Sequence, residues 1–385
     1  MSFFGKSNQS LLVILNIILA TACTGGSSKE SCDSCEVPVD DTFFISSEYG
    51  TSESMSRNMS AVRFVILHED DQTMFSDMNQ LIDAFGKYFV VDSYSSRRVV
   101  SFDHDGKPFA SYGRRGNGPG EYALPWNVDV SAEYVYIQDI SQRKLIKYDH
   151  QGVFIDSKEI PFESKGFTLL KDGKILFKLE PSKETNYQLC VTDSMLTPLK
   201  YMLHYPDGYV GGWVTNNVFQ KNKNGISYYC SPADTIYRLD YDGNLTGKRL
   251  LKFENGPIHE SARINFIAAE EKGLITGGMH LLDNPVELSD GTCLMEVTDY
   301  TNEGTYTITL NPTYYPQISK LYEFHLPDNM SVYDVIMPYK SDQENQVISY
   351  LDQMIAGKCY DFKILPDSLV KALDEGNRLL VIHEM

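Results

Sequence analysis

Positive charge is scarce in this sequence: Lys and Arg number 34 against 52 Asp and Glu, for a formal charge of −18. Holding a nucleic-acid backbone depends on clustered cations that displace counterions, so the balance excludes that class of partner. It also excludes docking on an anionic leaflet through a basic patch. The acidity keeps a soluble protein dispersed. Tryptophan is nearly missing, with 2 residues, and neither a Gly-x-Ser-x-Gly elbow nor a His-Glu-x-x-His string occurs. One Cys-x-x-Cys is present, Cys32 to Cys35. With no second pair and no βαβ pattern after it, it reads as a local disulfide or an incidental pair rather than a zinc or redox site. Cys190, Cys230, Cys293 and Cys359 stand singly in apolar, strand-like contexts, as small buried hydrophobes do. Beyond residue 22 no stretch is apolar enough for a membrane-spanning helix.

The first 22 residues carry the marks of a processing segment. They hold Lys6, an apolar run from Leu11 to Leu19 too short to span a bilayer, and the small residues Ala20-Thr21-Ala22 ahead of Cys23. The arrangement resembles a bacterial lipoprotein signal, although Ala20 stands where that pattern favours Leu, and it implies acylation of Cys23 as a membrane anchor. Ordinary secretory cleavage is the alternative, and both take the chain out of the cytoplasm. Residues 23–60 are expected to be a polar tether, since Thr24 to Asp41 is rich in Ser, Gly and acids and has little to bury.

What the chain has in quantity is strand-forming sequence, helped by 25 Tyr and 19 Phe. One pattern is written twice, Val99 to Gly106 and Leu145 to Gly152, with the glycines 46 residues apart. That spacing falls in the range of roughly 20–50 residues over which solenoids and propellers repeat. The first copy contains a hairpin from Leu81 to Asp92 about Phe85-Gly86-Lys87, then Val99 to Phe102 and Phe109 to Tyr112. The second contains Asn127 to Val130, Tyr134 to Asp139 and Leu145 to Tyr148. Later copies keep turns at Asp172-Gly173, Asn224-Gly225, Asp242-Gly243 and Asp290-Gly291, and the last ends at Leu379 to His383. The pattern predicts an all-β domain over residues 61–385: a six-bladed β-propeller of four-stranded antiparallel blades. The spare strand Val62 to Leu67 is expected to close the ring. Glu260 to Lys272, Gln343 to Ala356 and Pro366 to Gly376 break the rhythm and are predicted as short helical insertions late in the chain, meeting a partner or covering a blade edge.

The run Gly113 to Glu121 invites a phosphate-cradle reading, which its context rejects. No Gly-Lys-Ser/Thr follows, and Pro119 removes a donor. It reads as a joint between blades, with Arg114 and Arg115 the residues through which it would touch a ligand. At this run a family resemblance becomes specific. Phe102 to Gly106, the Gly-Asn-Gly-Pro-Gly-Glu-Tyr at 116–122, Val135 to Asp139 and Asp234-Thr235-Ile236-Tyr237 together resemble the six-bladed β-propeller lipoproteins of Bacteroides-type bacteria, which are similar in turn to NHL-repeat propellers. The resemblance is strong over residues 85–152 and weak beyond 255. It implies an envelope-anchored propeller, and a pattern in which an Asp ending the second strand is followed five residues on by an Arg that braces the next turn. Asp92 has Arg97 at that distance, and Asp139 has Lys144. It implies no activity.

An enzyme of this build would converge Asp, Glu, Asn or His from the inner-strand starts on a hard cation in the channel. Those starts read Asn79, Asn127, Lys165 and Asn216 or Asn217, with nothing clear in the last two blades. No catalytic residue or metal ligand is therefore assigned, and the only cofactor left to consider is a calcium-like ion in the channel. His104 and His150 occupy equivalent turns, as do Asp103 and Asp149, and read as repeat features. The expectation is a non-catalytic binding or scaffold module, lipid-anchored in the outer membrane and facing the periplasm or the exterior, whose channel mouth or helices meet a protein or glycan partner. Trp126, beside Pro125, and Trp213, after Gly211-Gly212, sit where a large aromatic would line the mouth, with packing between blades as the alternative. A metal-dependent hydrolase or lyase in the channel is the rival.

Overall fold

The computed structural model describes residues 37–45, 60–182, 185–212, 217–311, 314–321, 338–353 and 365–385. The signal segment, Cys23, Cys32, Cys35, Trp213, Asn216 and Cys359 lie outside the described residues.

Two strands precede the blades, β1 (Val39–Ile45) and β2 (Ala61–Leu67). Blade 1 is β3 (Gln80–Ala84), β4 (Lys87–Asp92), β5 (Arg98–Asp103) and β6 (Pro108–Ser111). Blade 2 is β7 (Pro125–Val130), β8 (Tyr134–Asp139), β9 (Lys144–Asp149) and β10 (Phe154–Glu159). Blade 3 is β11 (Ser164–Leu169), β12 (Ile175–Leu179), β13 (Tyr187–Thr192) and β14 (Pro198–His204). Blade 4 is β15 (Phe219–Asn222), β16 (Gly225–Tyr228), β17 (Thr235–Leu239) and β18 (Leu245–Phe253). In blade 5 two short pieces, β19 (Met279–Leu281) and β20 (Val286–Glu287), share the inner edge of β21 (Cys293–Asp299), followed by β22 (Gly304–Asn311) and β23 (Tyr314–Leu321). Blade 6 is β24 (Tyr339–Lys340), β25 (Gln346–Leu351) and β26 (Arg378–Glu384), with β2 as its outermost strand. The six-bladed propeller is thus the fold, and β2 closes it. Ala61 to Leu67 pair in unbroken antiparallel register with Glu384 to Arg378, so the ring is fastened by strands from both ends of the chain.

The turn between the third and fourth strands shows why one spelling recurs. The Asp103 carboxylate accepts from the N–H groups of Asp105 and Lys107 at 3.0 and 2.9 Å, and Gly106 takes φ +78° to complete the turn. Asp149, Asp193 and Asp240 make the same pair of bonds in blades 2, 3 and 4. In blade 3 the glycine position is Leu196, at φ +65°, which is why that copy lacked its glycine signal. Asp92 and Asp139 also brace turns, through backbone N–H donors on both sides, and Arg97, five residues after Asp92, donates to the carbonyl of Ala123 at 3.3 Å. Asp92 accepts from Ser76, Asp77, Ser95 and Ser96, and Asp139 from Ala123, Leu124, Ser141 and Gln142.

The core is divided among the seams between blades, each filled by the facing sides of two sheets. Phe89, Val99, Tyr112, Val128, Ile137 and Tyr148 fill the seam of blades 1 and 2, and a larger set including Phe75, Phe102, Ile348, Leu373 and Leu380 fills the closing seam of blades 6 and 1. Each buried Leu or Phe there contributes about 1.5–3 kcal/mol. The free thiols Cys190 and Cys293 are buried in such seams, where burial pushes both up to about 12, while Cys230 is half-buried.

Two expectations need correcting. The insertion expected over residues 343–356 is not helical where Gln346–Leu351 forms β25, whose buried run Val347-Ile348-Ser349-Tyr350-Leu351 pairs with β26. The apolar spacing of a fully buried strand mimicked a helical face. The tether expected over residues 23–60 contains β1, which lies parallel on the outer edge of β18 as a fifth strand of blade 4. Asp41 holds it there through two bonds to the Arg249 guanidinium, at 2.7 and 2.8 Å, and Phe43 lies under the same guanidinium at 3.9 Å. The other insertions are helices as expected. α1 (Glu260–Ile264) and α2 (Phe266–Glu271) lie between blades 4 and 5, and α3 (Asp367–Asp374), capped by Pro366, buries Leu369, Ala372 and Leu373 in the closing seam.

Candidate functional site

The innermost strands of a propeller face the channel, and each pairs with a neighbour on only one edge. Their other backbone groups need partners, and side-chain amides supply them. Gln80 bonds Val128 twice, accepting from its N–H at 2.9 Å and donating to its carbonyl at 3.2 Å. Asn127 Oδ1 accepts from Phe167 N–H at 3.0 Å, Gln138 accepts from Gly166 N–H at 2.9 Å, and Asn284 donates to the carbonyls of Val218 and Ser227. These polar residues stitch blade to blade. Asn127, chosen from the sequence as a ligand contact, lines the channel but is 3% exposed, and its amide oxygen serves blade 3.

The charged residues gather where the inner strands end and turn outward. A cavity of about 560 Å³ occupies that end of the channel and takes residues from all six blades: Asp83, Asp129, Thr168, Lys221, Glu287 and Lys340. Its volume suits a ligand site, for which about 300–1,000 Å³ is usual. Lys221 from blade 4 reaches Asp129 of blade 2 at 2.5 Å, and the same carboxylate accepts from Thr168 Oγ1 and Leu169 N–H at 2.9 and 2.7 Å. Asp83, 46 residues before Asp129, plays the matching part at the closing seam. Its Oδ1 meets His104 Nε2 at 2.8 Å, while Oδ2 accepts from Ser341 Oγ and Asp342 N–H at 2.8 and 3.2 Å. Burial holds this carboxyl above the usual carboxylate range, against the opposing bond from His104. Donor atoms of Asp83, His104 and Asp342 lie within 4.8 Å of one another. The imidazole does not fit a calcium site, which takes oxygen ligands. Both Asp83 oxygens are already engaged, so the trio is a clasp between blades 1 and 6.

Lys340 differs from the other cations of the channel. Lys221 is paired with Asp129 and Lys223 with Glu344. Lys340 Nζ instead donates to the carbonyl oxygen of Glu287 at 3.1 Å, and burial makes it less basic than an ordinary lysine in spite of Glu287, Glu344 and Asp342 nearby.

The remaining sequence candidates lie elsewhere. Trp126 is 6% exposed and lies edge to face against Tyr94 of blade 1, with ring centres 5.7 Å apart. Arg114 extends from the joint between blades 1 and 2 and pairs with Glu121 at 2.8 Å, and Arg115 is exposed beside it. Glu121 also accepts from Gly118 N–H at 2.9 Å, so the glycine run is a self-braced joint. His104 and His150 both reach back to their own blade's inner hairpin, His150 through Ser131 O at 3.0 Å. Reading only the inner-strand starts missed Asp83, Asp129, Glu287 and Lys340, which stand at the opposite strand ends. The spacing of 46 residues between Asp83 and Asp129 was a usable signal.

A family model described as a domain of unknown function, DUF4934, matches residues 41–281, more than half of the chain. The chain belongs to the DUF4934 family. The match begins within β1, so the strand that lies in the expected tether is part of what the DUF4934 model recognises. No curated protein sequence matches this DUF4934 chain. Among solved structures it is similar to a Bacteroides fragilis protein described as exported, with 16% identity and a TM-score of 0.72 over 89% of this chain and 99% of that one. It is also similar to a DUF4221-family member from Bacteroides vulgatus, with 13% identity and a TM-score of 0.50 over 85% and 96% of the two chains. At such identities the likeness speaks to the fold. Among the described residues no helix is long and apolar enough to cross a membrane.

Proposed function

We propose that this DUF4934 protein is an exported, lipid-anchored binding module of the bacterial envelope, related to NHL-repeat propellers, which takes a neutral glycan at the charged end of its channel. The observation that carries the reading is the cavity of about 560 Å³ lined from every blade, with the Lys340 ammonium in its wall donating to the Glu287 carbonyl. Acids and lysines interleave around this wall, and the rings of Phe85, Phe219 and Tyr241 flank it. Interleaved donors and acceptors beside aromatic faces suit a polyhydroxylated, uncharged ligand better than an anion or an apolar one. Calorimetric titration with neutral oligosaccharides of three or more units is the test. Lys340→Met is expected to weaken binding at least tenfold without lowering the melting temperature; an unchanged affinity would sink the channel reading.

Export and anchoring rest on the segment ahead of Cys23 and on the exported description of the Bacteroides fragilis relative in fold. Cys23→Ser is expected to move the protein from the membrane fraction to the soluble fraction and to abolish incorporation of labelled palmitate. Retention in the membrane fraction would count against lipidation. The rival, a metal-dependent hydrolase or lyase, would have to recruit Asp83, His104 and Asp342 from their clasp. Zinc or manganese binding that disappears in His104→Gln would favour it.

A further inference from the structure

The β15–β16 turn lies at the charged channel end, so the β16–β17 loop lies at the opposite end of blade 4. There, at the seam with blade 3, a second cavity of about 440 Å³ is lined by Tyr205, Tyr209, Tyr228 and Tyr237, with Asp234 and Arg263 at its side. The tyrosines are arranged as pairs. Tyr209 stacks on Tyr205 with ring centres 4.7 Å apart and planes 8° from parallel, and Tyr228 lies against Tyr237 at 6.3 Å and 30°. Tyr205 is fixed from below by its hydroxyl, which donates to Leu179 O at 2.7 Å, and Tyr228 by a bond of 3.1 Å to Gln188. The inner ring of the first pair is therefore buried and anchored by its hydroxyl, while Tyr209 is only half-buried. Burial keeps the hydroxyls of Tyr205 and Tyr209 well above the usual tyrosine range, so both stay protonated.

Beside the rings, the Arg263 guanidinium and the Asp234 carboxylate stand 3.3 Å apart, with Asp234 substantially exposed. An acceptor and a multiple donor side by side match two adjacent hydroxyls, one donating to the carboxylate and the other accepting from the guanidinium. Their mutual neutralisation disfavours a charged ligand, and the polar flank disfavours a purely apolar one. A flat apolar face with polar groups at its edge is the complement of a pyranose ring.

We propose that this tyrosine shelf is a second, separate ligand site that binds a single neutral pyranose, with Tyr209 as the stacking surface and Asp234 and Arg263 as the hydroxyl clamp. The site stands independently of what occupies the channel. Saturation-transfer NMR on the intact mature protein with the methyl glycosides of glucose, galactose, mannose and N-acetylglucosamine tests it. At least one glycoside is expected to show transfer with a millimolar dissociation constant. Tyr209→Ala should abolish the signal, Asp234→Asn should weaken it about tenfold, corresponding to roughly 1.4 kcal/mol, and Lys340→Met should leave it unchanged. No transfer to any glycoside, or a signal that survives Tyr209→Ala, overturns the shelf. A monosaccharide signal lost in Lys340→Met but kept in Tyr209→Ala overturns it as well, and assigns the binding to the channel. Melting curves matched to the wild type show that the variants are folded.

Discussion

Acidification from pH 7 to pH 4 is expected to remove about 3 kcal/mol of stability through one imidazole, His383, and His383→Gln is expected to lose most of that dependence. His383 lies in β26, flanked by β25 and β2, fully buried in the blade that closes the ring. Its Nε2 meets Ser349 Oγ at 3.0 Å, and its Nδ1 has no hydrogen-bond partner among the described residues. Burial alone pushes its pKa down to about 4, from an ordinary value of 6.5. Between those values the unfolded chain binds a proton that the folded chain refuses. The contribution is therefore intact above pH 6.5, is lost as the pH falls, and is fully gone below about pH 4, with a slope approaching ~1.4 kcal/mol per pH unit. Asp92 belongs to a lower window. Its burial would raise its pKa, but bonds from Ser96, Ser76 and Asp77 hold it below the usual range, so its share is lost only nearer pH 4 and beneath. Urea unfolding at pH 7.5, 6.5, 5.5 and 4.5 separates the two. Curves that stay parallel for wild type and His383→Gln would move the effect to His280, the other histidine among the described residues whose pKa burial lowers.

The closing strand that holds His383 was readable from the amino acids, because Leu379 to His383 and Val62 to Leu67 are apolar runs with no other place in a count of four strands per blade. The blades bounded by Asp-Gly or Asn-Gly turns were readable for the same reason: a positive φ demands glycine wherever a neighbour crowds the turn. The channel was not. Its wall in the last two blades is made of Val286–Glu287 and Tyr339–Lys340, pieces of two residues that carry no periodicity. Asn127, the amide that looked like a ligand contact, is instead consumed by the unpaired edge of β11, a demand that arises only once the ring exists. β1 escaped for a related reason, since a polar strand held by Asp41 and Arg249 across 208 positions has no local signature. The tyrosine shelf joins β14, the β16–β17 loop and α1, and no single stretch announces it.

Gly106→Ala is expected to destabilise the protein by about 2–5 kcal/mol, against only about 1 kcal/mol for Gly86→Ala, although both glycines sit in blade 1 hairpin turns at nearly the same φ, +78° and +74°. The left-handed backbone costs an alanine the same at both positions, on the order of 1 kcal/mol. The surroundings differ. A Cβ on Gly86 would meet nothing within 4 Å. On Gly106 it would lie 1.9 Å from the carbonyl oxygen of Ile66, which is main chain of the closing strand and has no rotamer to move. The Gly106 carbonyl also accepts from His68 N–H at 2.8 Å, so the turn and the residue just after β2 are held together from the other side. Relief requires blade 1 to part from blade 6 at the seam where the largest buried cluster lies. Leu196 supplies the natural control: it holds the equivalent turn of blade 3 at φ +65°, which shows that the fold tolerates a side chain in this conformation where no main chain stands in its way. Urea midpoints of Gly86→Ala and Gly106→Ala at pH 7.5 give the comparison. Equal losses would mean that conformational preference alone reserves position 106 for glycine, and that the closing seam has room to spare.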